Sequence, residues 1–292
     1  MSADVPASGV SERLARAVAR GPLHVAIIAI CLLWMLPSLG LLVSSFRPRD
    51  AFATSGWWTA FTTPFEFTLE NYEQVLTAQG MGQSFINSLT IALPATAFTV
   101  IVAAFAAYAF SWMHFPGRDA LFLIVVGLLV VPIQLTLIPV LRMFASTGLT
   151  GTFPAIWLAH TAYGLPFAVF LLRNFFTALP KDLLESAFLE GASHLRVFSR
   201  IVMPLSVPAI AALSIFQFLW LWNDLLVALV YLGGVRSVAP MTVTISNLVS
   251  SFGSEWHLLT AAAFISMVLP LAVFFALQRY FVEGILAGAV KG

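Results

Sequence analysis

The apolar sequence turns polar over one internal segment, residues 181–204, which reads KDLLESAFLEGASHLRVFSRIVMP. Its acids and bases can form ion pairs, and its leucines and phenylalanines can bury apolar surface against another molecule. Long uncharged stretches flank the segment on both sides. A chain that keeps such a segment in one internal loop is expected to dock another molecule there.

The first half of this segment has the pattern of a short amphipathic helix. Asp182 is followed three residues later by Glu185, an approximate capping box, so a helix is expected to start there. Gly191 is expected to end it, because glycine accepts the left-handed conformation common just past a helix C-terminus. Four residues recur at helical spacing and form one apolar stripe: Leu184, Ala187, Phe188 and Gly191.

The second half predicts another short helix. Arg196 and Arg200 stand one turn apart on one face, and Pro204 and Pro208 mark the return into apolar sequence. The other face is apolar and carries Leu195, Phe198, Ile201 and Val202. These residues alone would also fit a helical hairpin that lies on a bilayer surface.

Enzyme chemistry has little support in the sequence. His160 has candidate serines only at undetermined distances, so no nucleophile can be paired with it as a base. The chain contains no G-x-S-x-G elbow, no H-E-x-x-H zinc motif and no G-x-x-x-x-G-K-[ST] phosphate loop. We therefore predict no catalytic residue and no metal site.

The composition indicates an integral membrane protein. Of 292 residues, 60% are hydrophobic and only 9% are charged, and the mean hydropathy is +0.95. So few charges cannot cover a soluble surface. The net charge of +1 points to no particular partner, and no nucleic acid is expected.

Six helical spans fit between the charged residues, since a span needs about 20 mostly apolar residues. Runs such as residues 121–140 are apolar on every face, unlike the alternating strands of a β-barrel. We predict an all-α membrane protein with one six-helix domain over residues 23–278, between an N-terminal segment 1–22 and a tail 279–292. The expected spans are 23–45, 85–111, 120–143, 153–172, 208–231 and 258–278.

The basic residues predict the orientation. With the N-terminus inside and six crossings, ten Lys and Arg lie on the inner side and four on the outer side: inside are Arg13, Arg16, Arg20, Arg118, Arg173, Lys181, Arg196, Arg200, Arg279 and Lys291, and outside are Arg47, Arg49, Arg142 and Arg236. This distribution fits the positive-inside rule. Both termini and the 181–204 segment are therefore expected to be cytoplasmic.

The spacing within the segment resembles the EAA loop of binding-protein-dependent ABC importer permeases. That family has Glu-Ala-Ala, three residues, Gly, nine residues, Ile, one residue and Leu-Pro. The matching residues here are Glu185-Ser186-Ala187, Gly191, Ile201 and Met203-Pro204. Ser186 and Met203 depart from the pattern, whereas the spacing is intact.

The resemblance covers most of the chain. Trp222-Asn223-Asp224 is similar to a feature of the carbohydrate branch, and residues 284–292 (GILAGAVKG) are similar to the ending of the second, shorter permease of maltose-type systems. It implies the type I importer architecture and a multi-pass subunit in the bacterial plasma (inner) membrane that imports a sugar or oligosaccharide. The implied partners are a homologous second permease, two copies of an ABC ATPase that bind ATP and Mg, and an extracellular solute-binding protein. This chain itself would bind no cofactor.

The resemblance also implies roles for particular residues. Segment 181–204 would be the coupling loop, with its apolar stripe in a groove on the ATPase and Glu185 available to a basic partner. The residues expected to act in this coupling are Leu184, Glu185, Ser186, Ala187, Phe188, Gly191, Ile201 and Pro204. Residues 232–257 are expected to form an ordered outer loop that contacts the binding protein.

Candidate residues for the translocation pathway lie in the fourth and fifth spans: Tyr163, Trp220, Asn223 and Asp224. Their aromatic rings could stack on sugar rings, but aromatic residues on buried helices also serve as packing. Asp224, the only acidic residue well inside a span, could equally be a hydrogen-bonded structural group. Similarly, His160 and Gln217 could simply bond neighbouring helices.

Two other functions fit parts of the pattern. A permease of the same class could carry a solute that is not a sugar. An ion-driven secondary transporter usually shows paired intramembrane charges or internal inverted repeats. Here Asp224 is nearly alone and no repeat is visible, which favours the ATP-driven class.

Overall fold

The computed structural model describes residues 10–62, 67–251 and 255–289, and the side chains of residues 21–62, 67–249 and 255–278. The chain begins with a long helix, α1 (Val10–Ser45), that includes the predicted first span and part of the N-terminal segment. Most of its apolar surface is exposed, which suits a helix in contact with lipid. The expected cytoplasmic residues 1–9 and 290–292 lie outside the described residues.

A compact segment follows α1. It contains α2 (Arg49–Thr54), a 3-10 turn at Trp57–Phe61 and α3 (Glu70–Leu76). The buried Arg47 side chain donates to the carbonyls of Ala51 and Ser55, at 2.8 and 2.9 Å. Asn71 donates to the carbonyls of Ser45 and Arg47, both at 2.9 Å. These bonds fix the segment against the end of α1.

The longest buried helices run parallel to one another. The fourth helix, α4 (Met81–Trp112), is succeeded by α5 (Arg118–Gly127), α6 (Ile133–Ser146) and α7 (Phe153–Thr177). The indole of Trp157 donates to the Thr90 carbonyl at 2.8 Å, and Ser111 donates to the Arg173 carbonyl at 3.4 Å. The first contact joins the N-terminal halves of the two helices, and the second joins their C-terminal ends. The two helices therefore run in the same direction.

The predicted third span, 120–143, is not one continuous helix. A 3-10 turn at Leu128–Val130 follows α5, and the axes of the two halves differ by 102°. Pro132 stands at the break, where its missing N–H cannot continue the helical hydrogen bonding. Since α4 and α7 are parallel, α5 and α6 together must carry the chain back along the length of the bundle.

The 181–204 segment forms a helical hairpin, as predicted. Its first arm is α8 (Lys181–Leu189), and its second arm is α9 (His194–Val197), a π-helical turn at Phe198–Val202 and α10 (Met203–Leu205). The chain bends by 76° before α11 (Val207–Trp222). We call the side of the bundle that carries residues 181–205 the hairpin end and the other side the opposite end.

The predicted fifth span, 208–231, is also interrupted. Its helix α11 stops at Trp222, and α12 (Leu226–Leu232) begins after a three-residue break. The predicted outer loop 232–257 contains an ordered helix, α13 (Met241–Ser251), and the last helix, α14 (Trp256–Ala289), follows it. Residues 284–292 resemble the C-terminus of the second maltose-type permease. Of these, residues 284–289 are helical, and their side chains lie outside the described residues.

Six crossings agree with the helices of the described residues. Four helices are long and apolar enough to span a membrane, and two bent pairs complete the six. The bent pairs are the α5–α6 pair and the hairpin's second arm with α11. Cytoplasmic termini stay a prediction, since nothing in the structure defines the two faces of a membrane.

Candidate functional site

The N-cap of the hairpin's first helix lies two residues before the one that the capping box predicted. Helix α8 starts at Lys181, its N-cap is Pro180, and no side chain caps it. The predicted capping box of Asp182 and Glu185 is therefore wrong. Proline fixes its own φ near the helical value, which allows the helix to start directly behind Pro180. Asp182 lies in the first turn instead, where its negative charge interacts favourably with the positive end of the helix dipole.

The end of α8 matches the prediction for Gly191. Its φ is +81°, in the left-handed region. The Gly191 N–H donates to the Phe188 carbonyl and the Ala192 N–H to the Ala187 carbonyl, both at 3.0 Å. This pair of bonds is the Schellman motif. A glycine therefore sets the angle at which the two arms of the hairpin meet.

The apolar stripe of α8 faces this chain's own bundle. Leu184 is fully buried and packs in one core cluster with Leu172, Phe176 and Val197. Ala187 and Phe188 are half-buried against the same cluster. Leu184 is therefore closed to a partner, because it attaches the hairpin to α4 and α7, whereas a partner groove for the rest of the stripe stays a prediction.

A different face of the hairpin is open to a partner. The Leu189 side chain is 90% exposed, Leu195 is 66% exposed and Leu183 is 42% exposed. Glu185 and Ser186 are exposed beside them. We call these five residues the partner face.

The other two predicted coupling residues lie in the second arm. Ile201 is half-buried in the π-helical turn, and Pro204 is exposed at the start of α10.

Aromatic contacts fasten the hairpin to α4. The Tyr108 hydroxyl and Nδ1 of His194 are hydrogen-bonded at 3.0 Å. The His194 ring lies 4.9 Å from the ring of Phe188, and Phe198 lies 5.3 Å from Tyr108 and 4.7 Å from Phe105. We call Tyr108, Phe188, His194 and Phe198 the aromatic clasp. Sequence reasoning missed it, because Tyr108 and His194 are 86 residues apart and neither stands in a motif.

Asp224 lies in the break between α11 and α12 and is well bonded. Its carboxylate accepts from the N–H groups of Val227 and Ala228, at 3.2 and 3.0 Å. Its carbonyl accepts from the Thr242 hydroxyl at 2.6 Å. These contacts cap α12 and attach α13, so they support the structural interpretation of Asp224.

The buried His160 lies beside Asp224. Its Nε2 is 3.6 Å from the carboxylate, too long for a hydrogen bond, and neither ring nitrogen has a hydrogen-bond partner among the described residues. A cavity of about 10 Å³, lined also by Ser88, lies between them, which is about the volume that one water needs. On its other side, the His160 ring meets Trp220 edge-on at 5.5 Å.

The remaining pathway candidates occupy different surroundings. The Tyr163 hydroxyl accepts from Thr136 at 3.0 Å and bonds the Tyr231 hydroxyl at 2.6 Å. Asn223 donates to the Leu219 carbonyl of its own helix at 2.8 Å. Trp220 shares a cavity of about 260 Å³ with Tyr163. The structure thus brings Tyr163 and Trp220 together and leaves Asn223 outside that cavity.

Four long apolar helices and two bent pairs define a multi-pass membrane protein, and the hairpin presents exposed side chains at one end of it. The chain belongs to the family described as binding-protein-dependent transport system inner membrane component, whose model matches residues 99–286. It is a multi-pass inner-membrane permease of the ABC importer class.

Its similarity to individual permeases covers nearly the whole chain. The osmoprotective compounds uptake permease protein GgtD of Synechocystis sp. is 62% identical, over 92% of both chains. The alpha-glucoside transport system permease protein AglG of Rhizobium meliloti is 40% identical, over 92% of this chain and 96% of that one. A chain of a bacterial ABC transporter that imports alginate has the same fold, with a TM-score of 0.75 at 20% identity and coverage of 95% and 100%.

Proposed function

We propose that this permease imports a small α-glucoside across a bacterial plasma membrane, as one of two homologous permease subunits. The relatives at 40% and lower identity include permeases named for alpha-glucosides, arabinooligosaccharides and melibiose, raffinose and stachyose. The GgtD relative is named for osmoprotective compounds. A small glycoside that also acts as an osmoprotectant is consistent with the names of both the AglG and the GgtD relatives.

Energy is proposed to come from two copies of an ABC ATPase that hold ATP and Mg at the hairpin end. The observation that carries this proposal is the partner face, where Leu189 is 90% exposed on a helix whose other side is anchored in the bundle. Leu189 and Glu185 stand one turn apart on α8, so an apolar and a charged side chain are open to a partner side by side. ATP and Mg are assigned to the partner, and this chain is proposed to bind no cofactor and to catalyse no reaction.

Movement of the ATPases would reach the transmembrane helices through the aromatic clasp. Leu184 and Phe188 attach α8 to the core, and His194 bonds Tyr108 in α4. The hairpin therefore cannot shift without pulling on α4. In this proposal the hairpin acts as a lever, and α4 with its parallel neighbour α7 carries the motion towards the pathway.

The binding protein is proposed to dock at the opposite end, near α13. Asn247 is exposed on that helix, and α13 connects to the break of the fifth span through the Thr242–Asp224 bond. A photo-crosslinker at position 247 should capture the sugar-loaded binding protein. Ser250 is a second position for the crosslinker on the same helix, and its side chain lies outside the described residues.

Transport by the reconstituted complex tests this function. Proteoliposomes that contain both permeases and the ATPase should take up radiolabelled sucrose or maltose only when ATP, Mg and the loaded binding protein are all present. Uptake driven by a proton or sodium gradient without ATP would reject the ATP-driven class.

A non-sugar osmoprotectant is the second candidate substrate, because the GgtD relative is named for osmoprotective compounds without specifying sugars. Glycine betaine is the probe that separates the two candidates. Uptake of betaine, with neither sucrose nor maltose transported or competing, would replace the α-glucoside with a solute of that kind.

A further inference from the structure

A groove between α7 and α11 is lined by aromatic rings and one side-chain amide. Its volume is about 260 Å³, close to the lower limit of roughly 300 Å³ for small-molecule sites. Tyr163 lies about ten residues along α7, or about 15 Å from its start. The groove therefore opens near the middle of the bundle. Its lining residues are Tyr163, Gly164, Phe167, Phe216, Gln217 and Trp220.

Three aromatic rings of the groove are partly open. Phe167 is 43% exposed, Phe216 is 42% exposed and Trp220 is 36% exposed. The C–H faces of a pyranose ring are apolar and pack well on aromatic rings, while its hydroxyls need hydrogen-bond partners at the edges. Exposed rings around one cavity thus offer stacking surfaces for a sugar.

The groove also contains a polar group at its base. Gln217 is 4% exposed, and its amide nitrogen donates to the Thr99 hydroxyl at a long 3.5 Å. A side-chain amide has two donors and one acceptor oxygen, so the Thr99 bond uses only part of its capacity. Gly164 makes room for it, because a Cβ there would lie 2.9 Å from Cδ of Gln217.

Trp220 is held in place from behind. His160 meets its ring edge-on at 5.5 Å, and His160 is itself fully buried 3.6 Å from the Asp224 carboxylate. Asp224 is fixed by the first turn of α12. A stacking ring that is already ordered loses little conformational entropy when a ligand binds.

We propose that this groove is a sugar subsite on this subunit, which takes one glucosyl ring between Trp220 and Phe167 with Gln217 bonded to its hydroxyls. This assignment rests on the proposed function, because it places that α-glucoside in the pathway. An apolar groove alone would equally fit a lipid chain or a helix of the sister permease. The Gln217 amide favours the sugar, since beyond its Thr99 bond it can still donate to and accept from hydroxyls, which an acyl chain and an apolar helix face lack.

Site-directed thiol labelling tests the groove directly. Cys31 is the only cysteine, so Cys31→Ser gives a thiol-free chain, into which Phe167→Cys is introduced. The matched control is Leu158→Cys on the same helix, 57% exposed and nine residues away, or about half a turn around α7. Each variant is reconstituted as the full complex and treated with a water-soluble methanethiosulfonate, with and without saturating sucrose or maltose.

The expected result is modification of Phe167→Cys that the sugar slows at least fivefold, and no modification of Leu158→Cys. A Phe167→Cys chain that stays unmodified would overturn the subsite, because a lipid or the sister permease then covers the groove. Equal rates with and without sugar would also overturn it. Uptake of neither probe by the Cys31→Ser complex would reject the proposed function, and uptake without protection would reject the subsite alone.

Transport by Trp220 variants provides a second measurement. Trp220→Ala should lower the sugar moved per ATP hydrolysed at least tenfold while the loaded binding protein still stimulates hydrolysis. Trp220→Phe keeps a stacking face and should retain most transport. Equal losses in both variants, with stimulation lost as well, would mean that Trp220 is structural and would contradict the subsite.

Discussion

The Tyr108 hydroxyl lies 3.0 Å from Nδ1 of His194, and this contact joins α4 to the second arm of the hairpin. The stacking of Phe105 on Phe198, at 4.7 Å, and apolar packing of α4 against Val197 and Val202 join the same two elements. We expect a force on the second arm to reach α4 partly through this hydrogen bond.

Tyr108→Phe removes the hydrogen bond and keeps the ring. The loss of about 1 kcal/mol should loosen the clasp, so that ATP hydrolysis continues and transport per ATP falls by roughly fivefold. Tyr72→Phe is the matched control, because its hydroxyl bonds Ser45 at 2.7 Å at the opposite end. If both variants keep the wild-type ratio of transport to hydrolysis in proteoliposomes, the clasp does not transmit motion.

Glu185→Lys reverses a charge on the partner face. Because Glu185 is exposed, the chain should still insert, while the ATPase fails to co-purify and uptake is lost. Asp119→Lys makes the same change of charge at the hairpin end, on a side chain that is 80% exposed, and should be tolerated. Normal assembly of the Glu185→Lys complex would show that the ATPase binds elsewhere.

The effect of Gly191 substitutions on uptake should depend on how well the new residue tolerates a positive φ and not on the size of its side chain. A Cβ there meets nothing within 4 Å, but φ is +81°, which costs most residues about 1–2 kcal/mol. Uptake should decrease in the order Gly191→Asn, Gly191→Ala, Gly191→Val, because Asn tolerates the left-handed region best. Gly191→Asp should abolish uptake by adding a charge beside the partner face.

Gly127→Ala is the control for this series. Gly127 is right-handed, with φ of −59°, and a Cβ there also meets nothing. It should leave uptake unchanged. Equal uptake by all the Gly191 variants would show that the angle of the hairpin is not important for coupling.

Variants of Asp224 distinguish a structural role of its carboxylate from a role in the translocation pathway. Asp224→Ala removes both acceptors of the α12 cap and should cost about 1–2 kcal/mol, measured by thermal unfolding of the purified complex in detergent. Asp224→Asn keeps one acceptor oxygen and should be intermediate. A loss of transport in Asp224→Asn with unchanged thermal stability would instead place the carboxylate in the pathway.

The sequence predicted what depends on local chemistry. Gaps between charged residues located the spans, and Gly191 was identified because few other residues accept its conformation. The capping box was wrong because Pro180 starts the helix instead. Hydropathy could not show that Pro132 turns a continuous apolar run by 102°, since it counts composition and not direction. The aromatic clasp and the Trp220 groove depend on side chains brought together from distant segments, which no local pattern encodes.

The π-helical turn at Phe198–Val202 gives the second arm one surplus residue. A π-turn closes its hydrogen bonds one residue further along than an α-turn. Rewinding it into α-helix would slip the register by one position, which rotates the residues that follow by about 100° and advances them by about 1.5 Å. A change in this one turn would therefore alter the orientation of α10 relative to α9 while both helices keep their own hydrogen bonds.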